Sequence, residues 1–265
     1  MGKKCLNCDS ELNDDVLFCP QCGQKANLHR ISMHEILHEL MHFFTHADKS
    51  FLNLLKLLVV KNGQVAREYL SGKRKKYFPP LNFFLLTATI FVFIATLTHP
   101  SRATVQDVLK SHPEISHIPT QAGRDHVTGI YLRSSAVGAF MSKYSNIVAM
   151  IATPMICFIY WIFYSRGRFT YVEHLVGCFY MVGFGNLIYA CLITPLTMLI
   201  GREYALIAQS VFFVLQVIYN SVYYYHFINR RSSPALFKAI GVSVLAIAFW
   251  VFLTSSLIRL YIEKG

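Results

Sequence analysis

From Leu81 to Leu97 the chain carries no charged side chain. In water such a run would expose a continuous apolar surface. A bilayer core about 30 Å thick takes a helix of roughly 20 such residues, and a helix satisfies its own backbone N–H and C=O groups, as lipid requires. Four more apolar stretches follow, at about 145–164, 174–200, 204–227 and 236–258. Composition agrees: 54% of the residues are hydrophobic and 15% charged, against about 25% charged in soluble domains. The expected fold is an all-α polytopic membrane protein with about five transmembrane helices.

The entry to the first span is Gly72-Lys73-Arg74-Lys75-Lys76-Tyr77-Phe78-Pro79-Pro80. The four cations suit anionic lipid headgroups, at roughly 1 kcal/mol each near the surface. The aromatics suit the headgroup level, and the prolines end any upstream helix. The formal charge is +11, yet twelve cations against eight acids leave only +4 before the first span. A lipid surface therefore fits better than nucleic acid. The polar N-terminus has no cleavable signal, so the first span is expected to act as its own insertion signal.

Basic flanks set topology. With a cytoplasmic N-terminus, the Arg166–Arg168 and Asn229–Arg231 turns are also cytoplasmic. A long polar loop at about 99–144, with a short helix from Thr104 to Lys110, and the C-terminus are expected to be extracytoplasmic. A bacterial inner (cytoplasmic) membrane is the expected location. The chain divides into a head at 1–25, interfacial helices with the basic segment at 26–80, and the bundle at 81–265.

Cys5-Leu-Asn-Cys8 and Cys19-Pro-Gln-Cys22-Gly23-Gln24 are two Cys-x-x-Cys knuckles ten residues apart. Each spacing lets two thiolates face one tetrahedral ion, and Gly23 eases the tight turn. Four soft ligands with no open position predict a zinc ribbon with one structural Zn²⁺. So short a module cannot bury a useful core, so the metal supplies most of its folding free energy. Disulfides and redox thiols are the competing readings; a reducing cytoplasm favours the metal. Cys157, Cys178 and Cys191 lie in apolar segments as small packing residues.

His34, His38, His42 and His46 recur every four residues on one helix face, with Ser32 and Glu35 positioned as a capping box. Three readings stay open. The stripe is the polar face of an amphipathic helix, a metal- or proton-responsive array, or a zinc peptidase. The last rests on two overlapping His-Glu-x-x-His matches, His34-Glu35…His38 and His38-Glu39…His42. Phe51 to Val60 is apolar except for Asn53 and Lys56 and too short to span, which predicts an interfacial or re-entrant helix that Asn62-Gly63 stops.

The knuckles, the Arg30-Ile pair, the His-rich helix and Asp48-Lys49 are joined by Gly63…Arg67-Glu68-Tyr69-Leu70-x-Gly72-Lys73-Arg74…Tyr77-Phe78-x-Pro80. Together they resemble an uncharacterised bacterial membrane family, catalogued as a domain of unknown function with an N-terminal zinc ribbon. The resemblance covers roughly residues 5 to 85. It implies a zinc ribbon joined to a multi-pass region, supplies no reaction, and suggests that the histidines belong to a family pattern.

Within the spans, Glu173, His174, Gln209, Gln216 and Asn220 form a possible polar bundle site. Glu173 and His174 suit a polar cavity or proton relay, or a helix end in the headgroups. Gln209, Gln216 and Asn220 share one face, with Asn186 on the preceding span, and suit interhelical hydrogen bonds or a transport path. The leading functional expectation is a binding, scaffold or membrane-organising protein. Its head and basic segments engage anionic headgroups and a protein partner while the bundle anchors them. A small-solute or lipid permease is the alternative, and the peptidase a second. By topology alone the chain also resembles the Yip1-type membrane-trafficking proteins.

Overall fold

The computed structural model describes residues 3–13, 16–28, 30–34, 50–98, 102–165, 167–200, 202–229 and 232–264. The head contains one antiparallel pair, β1 (Lys3–Lys4) with β2 (Glu11–Leu12), and an isolated bridge between Phe18 and Lys25. Further along, among the described residues, lie two short helices, α1 (Ser50–Val60) and α2 (Gln64–Leu70). Asn62 takes the left-handed turn between them, with φ of 56°, as its short side chain permits. Gly63 serves a different need. A Cβ there would collide with the Tyr223 carbonyl and lie 2.7 Å from the Phe227 nitrogen.

Five helices are long and apolar enough to cross a membrane. They are α3 (Pro80–Thr98), the second half of α5 (Gln121–Tyr164), α6 (Tyr171–Ile188), α8 (Arg202–Ile228) and α9 (Ser233–Lys264). The third span continues beyond α6 through a π-turn, Tyr189–Ile193, into α7 (Thr194–Leu199). This is a multi-pass membrane protein. Large side chains stand bare on its flanks: Phe93, Leu206, Phe237 and Phe252 are 62–74% exposed. Water penalises such a surface and lipid does not.

The five spans pack in the order α6, α3, α5, α9, α8 as a ring that α5 also crosses by direct contact with α6. It closes from α8 back to α6 through aromatic contacts such as Phe184 with Tyr219 and Tyr189 with Phe212. Proline shapes two of the spans. Pro154 lies inside α5 and cannot donate to the preceding turn; its carbonyl accepts from the Tyr171 hydroxyl at 3.1 Å. Pro195 follows the π-turn, where the Thr194 hydroxyl donates to the Tyr189 carbonyl at 3.2 Å.

The connection at 99–144 is largely helical where described. Thr104 and Asp107 form a capping box for α4 (Val105–Ser111), and a 3₁₀ turn (Pro113–His117) leads into α5. α5 is two helices joined at a kink, of which only the second, Lys143–Tyr164, is long and apolar enough to span. Its first half precedes the span, and the non-helical dihedrals of Tyr144 (φ −117°, ψ 16°) mark the junction. Polarity made this stretch resemble a loop, but a helix outside the span needs no apolar run. The Arg133 guanidinium holds it to α9 by donating to the Ile262 carbonyl at 2.7 Å.

Candidate functional site

The two knuckles are near copies. In the first, the Asp9 N–H donates to the Cys5 carbonyl and the Cys5 N–H to the Ser10 carbonyl, both at 2.9 Å. In the second, Gly23 donates to Cys19 at 2.8 Å and Cys19 to Gln24 at 2.7 Å. Asp9 and Gly23 both take positive φ, 61° and 69°, so the glycine seen in the sequence has an aspartate counterpart that pattern did not flag. Folded this way, Cys5, Cys8, Cys19 and Cys22 place their sulfurs within 4.8 Å of one another. Cys5 to Cys22 is 3.6 Å and Cys8 to Cys19 is 3.7 Å, too far for disulfides. Four thiolates about 2.3 Å from a central ion would stand about 3.8 Å apart, so the geometry fits a tetrahedral metal site. The Ser10 hydroxyl, 3.2 Å from Cys19, brings that thiol down to about 6. Burial pushes Cys5 up to about 11.

The head is fastened to the bundle. Glu173 opens α6 in a capping box with Thr170, whose backbone N–H donates to the carboxylate at 2.7 Å. Arg30 reaches the same carboxylate with two donors, Nε at 2.8 Å and Nη2 at 2.6 Å, and also donates to the Arg168 carbonyl at 3.2 Å. Gln24 accepts from the Lys75 N–H at 3.0 Å, and Gly72, at φ 110°, sits against Leu6 and Leu28. No partner for Glu173 is legible in the sequence. Thr170-x-x-Glu173 is, however, a capping signature visible without a structure.

The basic run is not uniform. Glu68 accepts from Tyr77 at 2.7 Å, from Lys76 at 2.9 Å and from Lys61 at 3.3 Å. Burial alone would raise the Glu68 pKa, but the Tyr77 and Lys76 bonds outweigh it and hold the carboxyl at about 2. Burial and this carboxylate push Tyr77 up to about 12. Lys76 is thus paired with Glu68, although its side chain is exposed; Lys73 is half-buried and Lys75 exposed. Arg74 is half-buried as well.

The polar span residues separate into two places. His174 is fully buried at the head end, its Nδ1 3.4 Å from the Tyr224 hydroxyl. Tyr224 stacks on Tyr160 with centroids 3.8 Å apart, Tyr160 donates to the Ser243 hydroxyl at 3.0 Å, and Phe227 packs edge-on to His174. This aromatic layer closes the head end of the ring. Gln209, Gln216 and Asn220 lie beyond it, together with Asn186, in the wall of a cavity of about 470 Å³. Tyr189 and Trp250 share that wall and were not picked out from sequence. Cys157 and Cys178 are buried; Cys191 is exposed. His34 is exposed beside a helix start at Met33. Glu35, His38, Glu39, His42 and His46 lie outside the described residues, and the peptidase and metal readings of the stripe with them.

Residues 48–92 match a family described as "Protein of unknown function (DUF3667)", which covers α1, α2, the basic run and most of the first span. No curated protein and no solved structure matches the chain.

Proposed function

We propose that this is a membrane-organising binding protein of the bacterial inner membrane, with its four-cysteine head and N-terminus in the cytoplasm and its C-terminus outside. The head holds one structural Zn²⁺, the ion that four closed thiolates suit best. Its chemistry is to fold the head; Cys5, Cys8, Cys19 and Cys22 are its ligands. Head and basic run together engage anionic lipid headgroups and present the ribbon to a protein partner.

One observation carries the proposal: the bidentate Arg30–Glu173 pair. It fixes the head beside the basic run instead of leaving it on a tether, so metal, cations and bundle act as one surface. Lys73 and Lys75 are its lipid-facing cations, since Lys76 is held by Glu68.

The test uses full-length protein purified from membranes, with zinc measured per chain and retained phosphatidylglycerol counted by native mass spectrometry. One zinc is expected, absent when all four head cysteines become serine. Lys73→Gln with Lys75→Gln should lower phosphatidylglycerol retention, and Lys76→Gln much less. Equal retention in all three proteins would remove the lipid role. Normal partner recovery by a protein lacking residues 3–28 would remove the ribbon's.

A further inference from the structure

The cavity lies in the half of the bundle that the head does not touch, and its wall draws on all five spans. Its volume of about 470 Å³ falls in the range of pockets that take a small-molecule ligand. We propose that it binds an uncharged amphipathic lipid, a molecule with a hydrocarbon body and a hydroxyl-bearing head, drawn from the surrounding membrane.

Charge is the first ground. Among the described residues no Asp, Glu, Lys, Arg or His contributes to the wall. At membrane depth an ion without a counter-charge is strongly disfavoured, so the wall selects neutral occupants. Most of the surface is apolar, with Phe91, Phe212 and Trp250 prominent, which suits a hydrocarbon body.

The amides supply the second. Gln209, Phe212, Gln216 and Asn220 follow one another along α8 at helical spacing, and all line the cavity. Among the described residues no side-chain hydrogen bond engages Asn186, Gln209 or Gln216. An amide both donates and accepts, and in an apolar setting it is costly to leave unmatched. A hydroxyl offers the complementary pair. Interhelical bonding, the other use of such amides, is not how these three are arranged.

Shape is the third ground. The Tyr160–Tyr224 stack and the Tyr160–Ser243 bond close the head end, so the chamber ends blindly on that side. The wall is only partly closed elsewhere, since Phe91, Phe213 and Trp250 remain partly accessible. The π-turn completes the wall by setting the Tyr189 ring 5.0 Å from Phe212; such turns recur at functional sites.

The chain has two tryptophans. Trp161 sits at the head end against Tyr171, so a full-length Trp161→Phe protein reports from Trp250 in the cavity wall. In nanodiscs of phosphatidylethanolamine and phosphatidylglycerol, two chain-brominated quenchers supply the hydroxyl from different sources, a diacylglycerol and a long-chain alcohol. Brominated phosphatidylglycerol reports ordinary lipid contact. At least one neutral probe should quench saturably at low mole fraction, and the lower half-saturation identifies the source. Brominated phosphatidylglycerol should quench only in proportion to its abundance. Gln209→Leu with Gln216→Leu should raise the half-saturating mole fraction about tenfold, the loss of two hydrogen bonds. Parallel, unsaturated quenching by all three probes overturns the proposal, as does saturation that the amide variant leaves unchanged. If that variant does not fold, competition decides. An unbrominated long-chain alcohol must relieve the quenching and a quaternary ammonium of equal chain length must not; equal relief by both overturns it.

Discussion

At the head end, polar bonds and close approaches join nearly every element. Arg30 grips Glu173, Arg67 donates to the His226 carbonyl at 2.7 Å, and Tyr180 donates to the Phe78 carbonyl at 2.6 Å. Stacked aromatics fill the ring between these ties. In the far half the same spans surround a cavity walled by alanines, amides and a few large rings. Lipid offers helices little hydrophobic reason to associate, so packing and hydrogen bonds decide where they adhere. The chain concentrates both at one end, which leaves room at the other without loosening the whole.

The largest break in that contrast is removal of the metal. Replacing all four head cysteines by serine should unfold the head, whose coupled metal-binding and folding free energy is about 10 kcal/mol or more. Hydrogen exchange should then show residues 3–28 unprotected and the bundle nearly unchanged. Loss of bundle protection to the same degree would mean that the two ends are not separable.

Next is Gly63→Ala. The new Cβ meets the backbone of α8, which cannot turn aside as a side chain can. The expected cost is about 3 kcal/mol, seen as a lower Tm; a shift indistinguishable from that of an exposed Gly→Ala change would refute the close approach. Arg30→Ala should cost less, about 1–2 kcal/mol, because Arg30 is 56% exposed while Glu173 is 10% exposed. Its clearest sign is faster proteolysis of the head with the metal still bound.

Glu68 sharpens the comparison through pH. Its carboxyl titrates at about 2 in the folded protein against an ordinary 4.5. Its contribution is therefore complete above about 4.5 and is lost as pH falls toward 2. Glu68→Gln should lower Tm at neutral pH, with the gap to wild type narrowing through that window; a constant gap would assign the effect to packing. The smallest effect belongs to the far half. Ala152 is buried in the cavity wall, and Ala152→Leu should change stability by no more than about 1 kcal/mol. A cost like that of Gly63→Ala would show the far half to be as tightly packed as the head end.

Much of the architecture is legible from residues alone. The charge-free run after Leu81 and its four successors correspond to the five spans to within a few residues at most boundaries. The paired knuckles correspond to the cysteine cluster. Both are local signals, since a span is a length of apolar chain and a knuckle is a spacing. The polar span residues were equally visible, but not their partition. Glu173 and Gln216 lie on successive spans with similar claims to a polar site, yet one caps a helix under Arg30 and the other faces the cavity. Nor did the basic run reveal that Lys76 belongs to Glu68.

What the sequence determines by itself is what each segment must do with solvent. Apolar length commits five helices to lipid, cysteine spacing gathers four thiols into a site that suits a metal, and the cations lie between the two. Tertiary structure alone decides which polar groups meet. Arg30 and Glu173 stand 143 positions apart, and Arg67 meets the His226 carbonyl across 159. Periodicity and composition describe a residue's neighbours along one helix. A hydrogen bond or a cavity is fixed by how several helices close on one another, within tenths of an ångström and over the whole length of the chain.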